Sequence, residues 1–266
     1  TSNFRAGVNA GNSIVSGGNY NVLVGDEAGT AISTGDKNIF IGYASGDATT
    51  TASDNTGVGH EALTTNILGS RSVAIGANSL LAQNPASAVN MYNTAVGYDS
   101  GRTLTTGTNN TLIGGFAGDA ITTASNNTAL GYAAMTANTD GTNNVGVGLL
   151  ALGSNTTGDG NTAIGYASLD ANTTADNNTA VGKDALTTNT TGALNTALGS
   201  QALLSNTTAS NNTAVGSASL YYNTTGASNT GLGRQALFNN TTAGSNTAVG
   251  FQTLQANTSG SYNSAS

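Results

Sequence analysis

Apolar and polar residues along this chain follow one pattern that returns at a fixed interval. The five-residue unit Asn-Thr-Ala-Val-Gly recurs with small variations. It ends at Gly25, Gly42, Gly59, Gly76, Gly97, Gly114, Gly131, Gly148, Gly165, Gly182, Gly199, Gly216, Gly233 and Gly250. The step is 17 residues throughout, except from Gly76 to Gly97, where it is 21, so 14 copies stand in register. One clean repeat, Asn178 to Leu194, reads NTAVGKDALTTNTTGAL. Seventeen residues are too few for the helix pairs of α-solenoids, and Thr, Val, Asn and Gly are poor helix formers. Two short extended segments joined by Gly and Asn turns fit that length. Each repeat therefore predicts one coil of an all-β, parallel β-solenoid. Fourteen coils at ~4.8 Å spacing predict a rod on the order of 70 Å long.

Position within the repeat predicts burial. The second position is β-branched in every copy, from Val22 and Ile39 to Thr247, and the fourth is aliphatic, from Val24 to Val249. Period 2 places both on one face of a strand. The third position, between them, is also apolar or Gly, mostly Ala, so both faces read as buried. The third and ninth positions trade volume. Gly57 goes with Leu63, Ala129 with Met135, Gly146 with Leu152 and Gly231 with Leu237. Conversely, Leu23 goes with Gly29, Phe40 with Gly46 and Leu112 with Gly118, while Ala95 with Gly101 breaks the rule. Such trading is expected of side chains that share one close-packed space, within a chain or between chains.

The invariant Gly at the fifth position implies positive φ or a close backbone neighbour. The twelfth position is Asn in nine copies, among them Asn155, Asn172, Asn189, Asn206, Asn223 and Asn240. Asn suits turns, and stacked in register these residues predict Asn ladders.

The organisation that follows is a degenerate leading coil over 1–20 and a single solenoid of 14 coils over 21–266. A four-residue insertion falls within 77–92 (ANSLLAQNPASAVNMY), which holds the sole Pro, Pro85, and ends at Tyr92. An insertion that leaves the next coil in phase predicts an outward loop. Asn263–Ser266 begins another repeat and stops one residue before its Gly, which suggests that the natural chain continues.

Composition narrows the role. Of 266 residues only 7% are charged, against roughly 25% in an ordinary domain. With no Cys and one His, Cys/His zinc sites, thiol nucleophiles and disulfides are excluded within one chain. Net charge −7 with six basic residues argues against nucleic acid as a partner. No apolar run approaches the ~18 residues of a membrane helix, so no membrane insertion is expected of this segment. After Asp184 only Arg234 is charged, leaving coils of Asn, Thr, Ser and Gly that invite lateral or end-to-end association.

The segment Ser72-Val73-Ala74-Ile75-Gly76 resembles the SVAIG signature of YadA-like heads in trimeric autotransporter adhesins. The resemblance rests on five residues per repeat, recurring along nearly the whole chain; repeats of that family are commonly shorter, and the NTTG-type turn differs. The longer Gly-Tyr-x-[Ala/Ser]-Leu-x-x-Asn-Thr-Thr pattern, as at Gly165 to Thr174, is more similar to repeats of bacteriophage tail fibre proteins. Either resemblance implies a trimeric, extracellular, adhesive or structural fibre, with the coils wound as a left-handed β-roll and three chains intertwined or side by side. Neither carries over catalytic residues. The doubly apolar strand independently favours association of chains.

Other motifs weaken under the same register. Gly57 to Ala62, Gly146 to Ala151 and Gly231 to Ala236 fit G-x-G-x-x-A, but a dinucleotide site needs a following helix that 17 residues cannot hold. No cofactor or metal is expected. His60 lacks a Ser/His/Asp set. Asp26, Glu27 and Glu61 read as solvated turn carboxylates. The N-x-S/T sequons at Asn155, Asn172, Asn189, Asn206, Asn223 and Asn240 follow from the Asn-Thr-Thr turn and read as bare.

The residue after the repeated Gly is aromatic at Tyr43, Tyr98, Tyr132, Tyr166 and Phe251, and elsewhere is His60, Lys183 or Arg234. A position that accepts Lys, Arg and Tyr faces solvent. Tyr there offers an apolar face and a hydroxyl suited to sugar or protein contact. Together with Pro85 and Tyr92 these aromatics are the candidate contact residues, with Tyr221-Tyr222 a further local pair. The sequence thus points to a non-enzymatic fibre segment, extracellular, in a virion tail fibre or on a bacterial cell surface. Its partners would be its own copies and a cell-surface glycan or protein receptor. The alternatives are a trimeric autotransporter head, an ice-binding solenoid carrying Thr173-Thr174, Thr190-Thr191 and Thr207-Thr208, and, against the charge census, a polysaccharide-degrading solenoid.

Overall fold

A computed structural model describes residues 2–266. It is an all-β parallel β-solenoid of about 15 turns with 17-residue coils and no helix among the described residues. The chain falls into two compact units, residues 1–133 and 134–266. Each is built from the same coil.

In the second unit the coil beginning at Asn178 serves as the example. Thr179–Val181 is its strand, paired in parallel with Thr196–Leu198, each residue facing the one 17 later. Every side chain therefore stacks on its own equivalent. Thr and Val favour this half-exposed pleated surface. Two corners turn the backbone. At Gly182 φ is +134°, and Asp184 (+56°), Leu186 (+53°) and Asn177 (+56°) are left-handed. A left-handed leucine costs roughly 1–2 kcal/mol. Burial of Leu186 to 0% exposure returns about as much or more. The glycine has a second reason: a Cβ on Gly182 would sit 2.6 Å from the carbonyl carbon of Gly199. Both explanations open from sequence apply together.

The interior is filled from the first, third, eighth, ninth and twelfth positions. Asn178, Ala180, Ala185, Leu186 and Asn189 are all fully buried. The second and fourth positions point the other way. One face of the strand is buried, not both, because the thin interior lies on one side only; in a single chain nothing packs on the other.

The first unit uses the same frame. Phe4–Ala6 pairs with Val22–Val24, and pairing continues coil by coil to Thr111–Ile113 with Thr128–Leu130. Residues 3–20 make a further coil in this series. Asn3 accepts from Asn21 N–H at 2.8 Å, Gly7 has φ +137°, and one residue more than usual separates it from the next coil. Arg5 stands at the third, normally apolar, position and donates to Gly11 O at 2.9 Å.

The volume trade is made inside one chain. A Cβ on Gly46 would lie 2.5 Å from the Phe40 ring, and one on Gly29 would meet Leu23 and Ile32 at 2.8 Å. The exception, Ala95 with Gly101, is explained by the neighbouring coils: Leu112 and Leu80 fill that space, at 2.7 and 3.0 Å from a Cβ on Gly101. The twelfth position follows. Coils with Gly at the ninth carry Ile32, Thr49, Leu104 or Ile121 there, and coils with Leu or Met carry Asn or Gln.

The insertion is accommodated by paired substitutions. The first position is Ser72 instead of Asn and the twelfth is Gln83. Gln83 Oε1 accepts from Ser72 Oγ at 3.1 Å and from Asn93 Nδ2 at 3.0 Å. The longer amide spans what the shorter hydroxyl leaves. Gly69–Ser70 and Val89–Asn90 form a short extra parallel pair, and Met91 fills the core beneath it.

Candidate functional site

Two features of the outer surface stand out: the uncharged strand face and the aromatic column beside it. On the strand face, Ile39 and Ile41 are 38% and 39% exposed in the first unit. Leu198, Leu232 and Val249 repeat this in the second at 36–43%. No charged residue occupies the second or fourth position in any of the 14 copies. The result is a ribbon of aliphatic and Thr side chains in each unit.

Two residues beyond the aliphatic row comes the column that follows the repeated Gly. Its members are exposed, as their mix of Lys, Arg and Tyr predicts. Tyr43 stacks on His60 with ring centroids 5.4 Å apart. In the first unit Tyr98 and Tyr132 are joined through Phe116, edge to face, at 5.4 and 5.8 Å. In the second, Lys183 lies 5.8 Å over the Tyr166 ring and Arg234 5.7 Å over Phe251. Phe116 was missed in the sequence because it sits one position later. The signal was Gly115, which empties the column between the two tyrosines. A second cluster joins Tyr221, Tyr222 and Phe238 at 4.7–5.1 Å.

Pro85 does not belong to this surface. It is buried at the root of the insertion, while Ala86–Asn90 are exposed. Lacking an N–H, Pro85 needs no acceptor there. Tyr92 is exposed, and Arg71 Nη1 donates to its hydroxyl at 2.8 Å while Arg71 Nε lies 3.7 Å from Asp54. The hydrogen bond to Tyr92, with smaller help from Asp54, holds the Arg71 guanidinium more firmly protonated.

The Asn residues are interior. Asn155 Nδ2 donates to Asn138 Oδ1 at 2.7 Å and Gly158 O at 3.0 Å, and the ladder runs on through Asn172, Asn189, Asn206, Asn223 and Asn240. These sequons present no exposed amide. A second ladder, unread in the sequence, runs at the first position. Asn178 Oδ1 accepts from Asn195 N–H at 2.9 Å, and its Nδ2 donates to Gly192 O at 2.9 Å. Buried polar groups must be paired, and here one amide serves two coils.

The remaining motifs do not converge. The glycines from Gly57 run from strand into turn, with no helix after them. His60 Nδ1 is 4.0 Å from its neighbour Glu61. Glu27 and Glu61 share a repeat position two coils apart, ~10 Å at the usual strand spacing. Partial burial raises the pKa of Asp170 above its ordinary value. At the thirteenth position Thr156, Thr173, Thr190 and Thr207 spend their hydroxyls on the next coil's carbonyl, whereas Thr157, Thr174, Thr191 and Thr208 are exposed. No protein-family model, curated protein or solved structure matches the chain. Among the described residues no helix is long and apolar enough to cross a membrane.

Proposed function

We propose that this chain is a structural and adhesive segment of an extracellular fibre, assembled as a homotrimer and without enzymatic activity. One observation carries the reading: the outer strand face is uncharged in copy after copy, a ribbon of Thr and aliphatic side chains in which Ile41, Ile75, Leu130, Ile164, Leu198 and Val249 are left more than a third exposed. Contiguous apolar surface of this kind marks a contact between macromolecules. A surface with the same axial repeat is the natural complement, and other copies of this chain supply one. Trimers fit both resemblances, to tail fibres and to YadA-like heads. Coils locked by Asn ladders supply stiffness, and a repeated outer column supplies multivalent contact. A virion tail fibre is the preferred setting and a bacterial surface adhesin the alternative.

Light scattering on the purified 266-residue chain tests this, with a native mass about three times the 26.0 kDa protomer expected. A monomer at micromolar concentration would overturn the trimer and leave the face unexplained as an interface. One observation favours a second reading in that event. The exposed Thr157, Thr174, Thr191 and Thr208 sit at one position on successive coils, a regular array suited to ice. A thermal-hysteresis assay without ice shaping would end that reading.

A further inference from the structure

We infer that the ridge formed by Tyr98, Phe116 and Tyr132 binds an uncharged, extended β-linked polysaccharide chain lying parallel to the solenoid axis. The inference rests on the adhesive reading above and names the ligand class for one site. Tyr98 and Tyr132 are 54% and 58% exposed, and the Phe116 ring closes the gap between them at 5.4 and 5.8 Å. Two exposed tyrosine rings two coils apart thus flank the half-buried Phe116 ring, which stands at 75° and 79° to them.

The ridge is not a by-product of core packing. The seventh position elsewhere carries Ala44, Ala133, Ala167, Asp184 or Gln201, all of which the fold accepts. Phe116 has φ +57°, where a bulky aromatic is uncommon. Its ring reaches the column because Gly115 leaves the sixth position empty. A Cβ on Gly115 would already touch the Tyr132 ring at 3.5 Å. The left-handed φ is shared by the other seventh positions, such as Ala44, Ala133 and Asp184, so the departure here is the aromatic side chain and not the backbone.

Spacing and charge select the ligand. Coils follow at ~4.8 Å, so the ridge spans roughly 10 Å from Tyr98 to Tyr132. That step is close to the rise per sugar of an extended β-1,4-linked chain, which keeps successive sugars near successive rings over this short length. Aromatic faces pair with the C–H faces of pyranoses, and the tyrosine hydroxyls with their hydroxyl groups. The ridge itself carries no charge. Beside it, Asp99 is nearly buried and accepts from Asn78 Nδ2 at 2.8 Å. A chain of net charge −7 repels anionic polymers, so a neutral glycan is the complement.

Affinity electrophoresis of the full 266-residue chain through gels containing hydroxyethylcellulose tests the site, with titration of cellohexaose and chitohexaose by calorimetry. The wild-type chain is expected to be retarded and to bind at least one hexasaccharide. Phe116→Ala and Tyr132→Ala should each weaken binding about tenfold, while Leu194→Ala, at an exposed site in neither aromatic cluster, leaves it unchanged. Melting curves of the three variants should match the wild type, since all three side chains are at least partly exposed. Failure to bind any neutral probe, unchanged binding by both ridge variants, or retardation only by heparin would each overturn the inference. So would binding confined to immobilised protein. A trimer that ignores these glycans would sink this inference and leave the fibre reading standing.

Discussion

In the first unit the interior is filled in three coils from the strand, by Leu23, Phe40 and Leu112 at the third position, and in two from the turn, by Leu63 and Leu80. In the second it is filled from the far turn, by Leu152, Leu169, Leu186, Leu203 and Leu237 at the ninth, with Ala or Gly on the strand. The twelfth position switches with them, from Ile32, Leu104 and Ile121 to an unbroken Asn ladder. One backbone therefore accepts two fillings of the same space, provided that the three positions change together. The lesson is that volume is conserved over a coil and its neighbours, not per residue. The first unit mixes the two fillings and also carries the insertion, most of the charge and the aromatic ridge. The second repeats one filling and carries outside the Tyr221, Tyr222 and Phe238 cluster and two cation–aromatic pairs.

The comparison can be broken where both units should agree. Gly182→Ala places a Cβ 2.6 Å from the next coil's backbone at φ +134°, and Gly25→Ala does the same at 2.7 Å from Gly42 O. Each should cost about 4 kcal/mol or more, or abolish folding, by circular-dichroism melting. A tolerant unit would show that the fifth position is not common ground.

The next largest effect is at Phe40. Phe40→Ala should destabilise by about 3–5 kcal/mol through the cavity it leaves. Adding Gly46→Leu and Thr49→Asn converts that coil to the second unit's filling and should recover at least half. Leu63 already adopts φ +57° at the equivalent site, so Leu at residue 46 is compatible with the backbone. No recovery would mean that the fillings are not interchangeable.

The Asn ladder at the first position is shared by both units. Asn178→Ala strands the N–H of Asn195, and should cost about 2 kcal/mol, read as a shift in melting temperature. A loss below ~0.5 kcal/mol would mean that water replaces the amide.

Asp170 belongs to the second unit alone and has the smallest effect. Burial raises its pKa in the folded state, so the native chain holds its proton more tightly than the unfolded chain does. Its contribution to stability is therefore most favourable at acid pH and declines as pH rises through the carboxylate range. Asp170→Asn should stabilise slightly at pH 7, by less than about 1 kcal/mol, and the difference should vanish on acidification. A gain that grows towards acid pH would reverse the assignment.

Much of this was legible in the residues. The period, the strand at the second to fourth positions, the stacked Asn ladder and the volume trade follow from spacing alone. So does exposure of the column after the repeated Gly, because a site that accepts Lys, Arg and Tyr is solvated. The ridge was half legible: Tyr98 and Tyr132 stood out, while Phe116 lay off the column. Pro85 was misjudged, since an insertion is read as a loop but its root must still close the core.

By itself, then, the sequence determined the fold class, the coil length and which positions compete for the interior. A stack of in-register repeats leaves those no freedom. Only the tertiary structure decided which strand face turns inward, that Leu186 and its equivalents sit left-handed, that the first-position Asn side chains bridge coils, and that the trade closes within one chain. Each of these depends on what lies 17 residues away in the adjacent coil, and local propensity does not report on that neighbour.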